Sequence, residues 1–180
     1  MLKVYKQLNS SFPELFFTAF LGFFLFSMFF CSPGFLPVSS AAEKAADFSL
    51  KAADGKTYTL SSFKGKVVLL NFWATWCPAC VEELPSLEKL SAKFKGQNFQ
   101  VLSVSIDSEE GAVRDFLARQ PLPFPVLEDP KRKVAFDLYA VFGVPASFLI
   151  DKQGQLTSRY YGSQDWTSPG MVSKIEALLK

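Results

Sequence analysis

Two cysteines two residues apart stand where an apolar run gives way to a helical pattern. Val67-Val68-Leu69-Leu70-Asn71-Phe72-Trp73 is nearly all apolar, and Trp76-Cys77-Pro78-Ala79-Cys80 follows almost at once. Such a run reads as a strand buried on both faces, as in a parallel sheet. From Pro78 to about Lys95 the pattern is helical. A strand-to-helix junction puts the first sulfur at a helix N-terminus, where unpaired N–H groups and the helix dipole favour a thiolate over a thiol. A Cys-x-x-Cys pair can close a small disulfide and reopen it, so this placement points to redox chemistry.

The absence of histidine from all 180 residues narrows that chemistry. It excludes Ser-His and Cys-His nucleophile pairs, histidine metal sites and the Cys-x-x-Cys-His haem attachment motif. With three cysteines in all, a four-ligand zinc site would need carboxylates. No metal and no cofactor are expected. The net charge of +2 argues against a nucleic-acid partner. The one basic run, Lys131-Arg132-Lys133, reads as a solvated helix start.

Lys3 and Lys6 precede an apolar stretch over residues 15–30, the pattern of a secretion signal or a membrane anchor. The positive end stays in the cytoplasm, so the rest of the chain is expected outside it, in the periplasm or on the outer face of the inner membrane. Three fates are open for residues 1–42: cleavage near Ala41 or Ala42, retention as an anchor through residues 15–36, or lipidation at Cys31. Residues 43–180 suffice for one domain with a single core.

After export, Ala45 to Leu60 reads as two short strands around a turn at Asp54-Gly55. Phe99 to Ile106 reads as a strand and Glu109 to Gln120 as a helix with Val113, Phe116 and Leu117 facing inward. Pro121 to Pro125 reads as a stiff connection, and Pro130 to Ala140 as a helix. Ala146 to Ile150 and Gln155 to Tyr161 read as an antiparallel pair, and Ser168-Pro169 opens a last helix. This order predicts an α/β fold with a central mixed sheet, helices on both faces and an N-terminal hairpin.

Asn71 to Cys80 resembles the active-site segment of the thioredoxin superfamily, and Gly143-Val144-Pro145-Ala146-Ser147-Phe148 resembles its cis-proline loop. Glu82-Glu83-Leu84-Pro85 and Tyr161-Gly162-Ser163-Gln164-Asp165-Trp166 are similar to the TlpA/ResA-like branch, exported thiol-disulfide oxidoreductases. The resemblance runs from about Asp47 to the C-terminus and implies a thioredoxin-like fold. It implies Cys77 as the exposed attacking thiolate and Cys80 as the residue that resolves the mixed disulfide. It implies a cis bond before Pro145 that presents Val144 to a substrate, with Trp76, Pro78 and Ala79 completing the contact surface.

The family usually carries an Asp where this chain has Asn71, so that proton acceptor is missing. Glu83 shares a helical face with Leu87, Leu90 and Phe94, whereas Glu82 shares a row with Ser86, Lys89 and Lys93. Glu83 is therefore expected to be partly buried near the sulfurs with a raised pKa, exchanging a proton with Cys80.

Four functions remain open on the sequence. The first is a reductant of partner disulfides, including apocytochrome c cysteines, re-reduced by an integral membrane electron donor and working as a monomer. The others are a disulfide-forming oxidant, a peroxiredoxin-like peroxidase and a redox-inert binding module. Ala79 stands where strong oxidants carry histidine, and Thr75 is two residues before Cys77 rather than the three that peroxidase chemistry wants.

Overall fold

The computed structural model describes residues 43–180. The signal, anchor and Cys31 expectations therefore lie outside the described residues. Among the described residues no helix is long and apolar enough to cross a membrane.

The nearly all-apolar run forms strand β3, Val67–Trp73, and all seven of its residues are buried. It is the middle of a five-stranded sheet. Strand β4, Phe99–Ser105, runs parallel to it, and strand β6, Ala146–Ile150, runs antiparallel on its other side. Strand β5, Val126–Glu128, and strand β7, Leu156–Tyr161, form the two edges. A separate hairpin of β1, Ser49–Lys51, and β2, Thr57–Thr59, stands before them. Its turn uses Gly55 at φ +84°, a conformation that suits glycine. Helices α1, Pro78–Lys93, α2, Ala112–Arg119, and α3, Pro169–Leu179, flank the sheet. The fold is the thioredoxin-like mixed α/β fold.

Register positions the chemistry. Trp73 pairs with Ser105 and Phe72 pairs with Ala146. The loop before Ala146 therefore reaches the same end of β3 from which the cysteine segment leaves. Helix α1 lays Cys80, Glu83, Leu84, Leu87 and Leu90 against the sheet at spacings of three and four. Each such buried leucine contributes about 1.5–3 kcal/mol. Phe72, Tyr139 and Phe148 meet as an aromatic trio with ring centroids 5.0–5.7 Å apart, and the Tyr139 hydroxyl donates to the Ala46 carbonyl at 2.7 Å.

Three elements differ from the sequence reading. Val126–Glu128, given no element in the sequence reading, is a strand because it joins the parallel ladder beside Ser103 to Ser105. Helix α2 begins at Ala112 rather than Glu109. Gly111 caps it at φ +86°, and a Cβ there would meet the Arg114 guanidinium at 2.8 Å. The helix expected over Pro130 to Ala140 is one π-helical turn, Val134–Leu138. Arg132 and Ala140 bracket it in left-handed conformations, and the Asp129 carboxylate accepts from Ala135 N at 2.9 Å. These backbone reversals leave no room for a longer regular helix.

Candidate active site

Cys77 is the N-cap of α1, and its Sγ accepts from the Cys80 backbone N–H at 3.2 Å. Pro78 occupies the first turn, where a missing N–H leaves nothing unpaired. The helix thus points a donor at the sulfur that must carry negative charge. Cys77 and Cys80 are joined as a disulfide with Cα atoms 5.3 Å apart. Cys77 is 6 % exposed, far less open than expected of an attacking group. In the closed ring its sulfur faces Cys80 on one side and lies 3.6 Å from the Val144 carbonyl oxygen on the other. Trp76 projects outward at 58 % exposure, which rules out a core-packing role. Pro78 is exposed and Ala79 half-buried beside it.

The Val144–Pro145 bond is cis. The Pro145 carbonyl accepts from Gly162 N at 2.9 Å, tying this loop to the end of β7. The structure thus brings Cys77, Cys80, Val144 and Pro145 together at the end of β3.

Glu83 is buried one turn beyond Cys80, at 3 % exposure. Its Oε1 accepts from Trp166 Nε1 at 2.7 Å and from Asn71 Nδ2 at 3.2 Å, and its Oε2 accepts from Gln164 N at 3.1 Å. Asn71 Nδ2 also donates to Ser147 Oγ at 3.0 Å. Burial pushes the Glu83 carboxyl above its ordinary value, and the donors from Trp166, Gln164 and Ser163 hold it back only in part. The face assigned to Glu83 from helical spacing is the one it occupies. Its partners Gln164 and Trp166, and the Ser147 that Asn71 bonds, were not assigned roles from the sequence, since no periodicity links residues some 80 positions apart.

A second buried carboxylate also escaped the sequence reading. Asp107 accepts from Thr75 N at 3.0 Å, Thr75 Oγ1 at 2.8 Å and Ser105 Oγ at 2.6 Å. It pins the loop that carries Trp76 and Cys77 to the end of β4. The one available signal was an Asp placed just after a buried strand. Asp107→Ala leaves these donors without their acceptor and is expected to cost about 2 kcal/mol in urea unfolding. A loss under about 0.5 kcal/mol would show that the pin carries little.

Among the described residues no cluster of three or more His, Cys, Asp or Glu side chains could hold a metal ion. The site can do chemistry with two sulfurs, a helix terminus and a carboxylate of raised pKa.

Comparison with known proteins agrees with this geometry. The AhpC/TSA family model matches residues 41–159. The thiol-disulfide oxidoreductase ResA of Bacillus cereus is 35 % identical over 144 residues, 80 % of this chain and 81 % of the relative. ResA of Halalkalibacterium halodurans is 32 % identical over 89 % of this chain and 87 % of its own. Among solved structures, a Chlorobium tepidum thiol:disulfide interchange protein of the DsbE type superposes with a TM-score of 0.71 at 37 % identity, covering 77 % of this chain and 97 % of that one. The chain belongs to the AhpC/TSA family of thioredoxin-like proteins, as a ResA-like thiol-disulfide oxidoreductase.

Proposed function

We propose that this oxidoreductase works on the exported side of the membrane as a reductant of protein disulfides. In the dithiol form the Cys77 thiolate attacks one sulfur of a substrate disulfide. A Cys77–substrate bond forms, the substrate's own S–S bond breaks, and the leaving thiolate takes a proton. Glu83 then accepts the Cys80 proton, the Cys80 thiolate attacks Cys77 Sγ, the Cys77–substrate bond breaks, and the second substrate sulfur leaves as a thiolate that takes a proton from solvent. Two electrons pass to the substrate and the Cys77–Cys80 disulfide remains. Trp76, Pro78, Ala79, Val144 and Pro145 form the surface that meets the substrate, and one chain suffices.

The observation that carries this reading is the buried Glu83 on the same helix face as Cys80, with its pKa raised by burial. It suits a group that holds a proton in one redox state and gives it up in the other. Asn71 Oδ1 is buried without a partner in this disulfide state. Turning the amide over would present that oxygen to a protonated Glu83, so Asn71 fits both charge states. Ala79 in place of a histidine favours reduction over oxidation. Thr75 spends its hydroxyl on Asp107, which weakens a peroxidase reading. Outside the cytoplasm the pair stays reduced only with a supply of electrons, for which an integral membrane thiol donor is the natural source. Apocytochrome c cysteines awaiting haem are the substrate class that the ResA-like resemblance implies.

Equilibration with a thiol buffer tests the direction. A potential below about −200 mV, together with turnover of insulin disulfides, is expected. A potential near −120 mV, the range of strong oxidants, would overturn the assignment.

Glu83 also makes a prediction about pH. Its carboxyl is held above 4.5 in the folded disulfide form, so the native chain binds more protons than the unfolded chain just above that pH. Its contribution to stability is full below pH 4.5 and falls as pH rises through the raised value. Asp47, whose pKa is lowered from 3.8, acts below this window and in the opposite sense. Denaturant unfolding of the oxidised protein from pH 4 to 8 should show this decline in wild type minus Glu83→Gln. A difference that grows with pH contradicts it.

A further inference from the structure

A row of polar side chains crosses the middle of an otherwise apolar sheet. Asn71 on β3 stands in register with Ser147 on β6 and with Ser103 on β4. All three are buried, and their neighbours along the strands, Leu70, Phe72, Leu102, Val104, Ala146 and Phe148, are apolar. A polar group in such a place costs desolvation unless it is bonded. Yet Asn71 Oδ1 and Ser103 Oγ are buried without a hydrogen-bond partner. They belong to register partners one strand spacing apart, about 4.8 Å. The row is therefore bonded between β3 and β6 and open between β3 and β4.

An amide exchanges donor for acceptor by a half turn of its end group. Asn71 Nδ2 spends both hydrogens, on Glu83 Oε1 at 3.2 Å and on Ser147 Oγ at 3.0 Å. That orientation suits an ionised Glu83, which only accepts. A protonated Glu83 carries a donor of its own, and the same orientation sets N–H against O–H. After a half turn Oδ1 accepts from Glu83 and, once the hydroxyl rotates, from Ser147 as well. Nδ2 then swings away from β6 and needs an acceptor towards β4. Ser103 Oγ, without a partner in the present state, stands in register there.

We propose that Ser103 is a positioning residue for proton transfer at Glu83: the Asn71 amide reverses between Ser147 and Ser103 as Glu83 loses and gains its proton, and Ser103 Oγ accepts from Nδ2 in the protonated state. The inference rests on the reading of Glu83 as the group that exchanges a proton with Cys80. Ser103 touches neither the sulfurs nor the carboxyl and acts only through Asn71. Removing its hydroxyl is silent while Glu83 is ionised, but leaves a buried N–H unpaired once Glu83 is protonated, so it weakens proton binding. Few titratable groups compete for this role. Glu83 faces Asn71 from β3 and Gln164 and Trp166 from the loop after β7, with Cys80 one turn away on α1 and unable to titrate in the disulfide. Asp165 in that loop is exposed and accepts from Thr167 N at 2.9 Å, and Glu82 and Lys89 lie on the exposed rows of α1. At the end of β4, Asp107 is held by Thr75 and Ser105.

The test uses the full chain in detergent with Cys77 and Cys80 oxidised, so that pH alone sets the charge of Glu83. Proton NMR contacts from the Asn71 Nδ2 hydrogens are followed from pH 8 to pH 4. The carbonyl stretch of the protonated Glu83 carboxyl, identified as the band missing in Glu83→Gln, is followed in parallel. The strongest contacts should pass from Ser147 to Ser103 as the band appears. Ser103→Ala should weaken proton binding by Glu83 about tenfold, so that the band appears at lower pH, while unfolding at pH 8 is unchanged. In an Asn71→Leu background the same substitution should leave the band in place. Contacts that stay with Ser147 as the band appears, or a band that Ser103→Ala does not move, would overturn the switch and leave Glu83 a proton carrier. An equal displacement with and without the Asn71 amide would likewise overturn it, since Ser103 would then act by another route. A band that never appears down to pH 4 would sink the proton-carrier reading and the switch together.

Discussion

Cys77→Ser is expected to lower disulfide exchange by on the order of 10³-fold or more, because it removes the nucleophile itself. Cys80→Ala has a different signature. Cys77 keeps its place at the N-terminus of α1 and still attacks, but nothing resolves the product. Mixed disulfides with substrate should accumulate and be visible on a non-reducing gel or by mass spectrometry, while turnover stops. The Cys80 N–H that bonds the Cys77 sulfur belongs to the backbone and survives the substitution. If Cys80→Ala trapped nothing and Cys77→Ala did, the roles of the two sulfurs would be reversed.

Trp166→Ala should be the most damaging change outside the cysteines. The indole is buried, packs edge-on against Tyr160 at 5.3 Å, and donates to Glu83 at 2.7 Å. Truncation leaves a large cavity beside a carboxylate stripped of its shortest hydrogen bond, at a cost of about 3–5 kcal/mol. Trp166→Phe separates the two effects. It keeps most of the volume and removes only the N–H, so the stability loss should be nearer 1 kcal/mol. Glu83 would then lose a donor that holds its pKa down, and the pH profile of the resolving step should move upward. Urea unfolding and a pH–rate profile on both variants check this. A Trp166→Phe profile that superposes on wild type would mean that Trp166 only fills space.

Local chemistry makes some of this molecule legible in its sequence. Seven apolar or neutral residues in a row, followed by two cysteines and a Pro, could be little other than a buried strand entering a helix. The face of Glu83 followed from its spacing to Leu87, Leu90 and Phe94. The failures share a different cause. Val126–Glu128 is a strand because of what lies beside it, and three residues after a proline-rich stretch carry no pattern of their own. The segment after Pro130 has helical composition, yet Asp129 and the reversals at Arg132 and Ala140 shape it from tertiary context. Gln164, Ser147 and Asp107 gain their roles by arriving next to residues that are distant or non-periodic in sequence. The low exposure of Cys77 belongs to the closed ring and its Val144 neighbour, which no linear motif records.

The two sulfurs are three residues apart, but the groups that set the proton affinity around them arrive from 81 and 83 residues beyond Glu83. Closing the ring needs no fold, whereas placing Gln164 and Trp166 requires all of it. A thermodynamic cycle follows. The potential of the pair in the native chain differs from that in the unfolded chain by the same free energy by which oxidation changes the stability of the fold, about 1.4 kcal/mol for every 30 mV. An electron donor that reduces this protein therefore does work on its architecture, and any mutation that favours one redox form of the fold retunes the electron transfer by an equal amount.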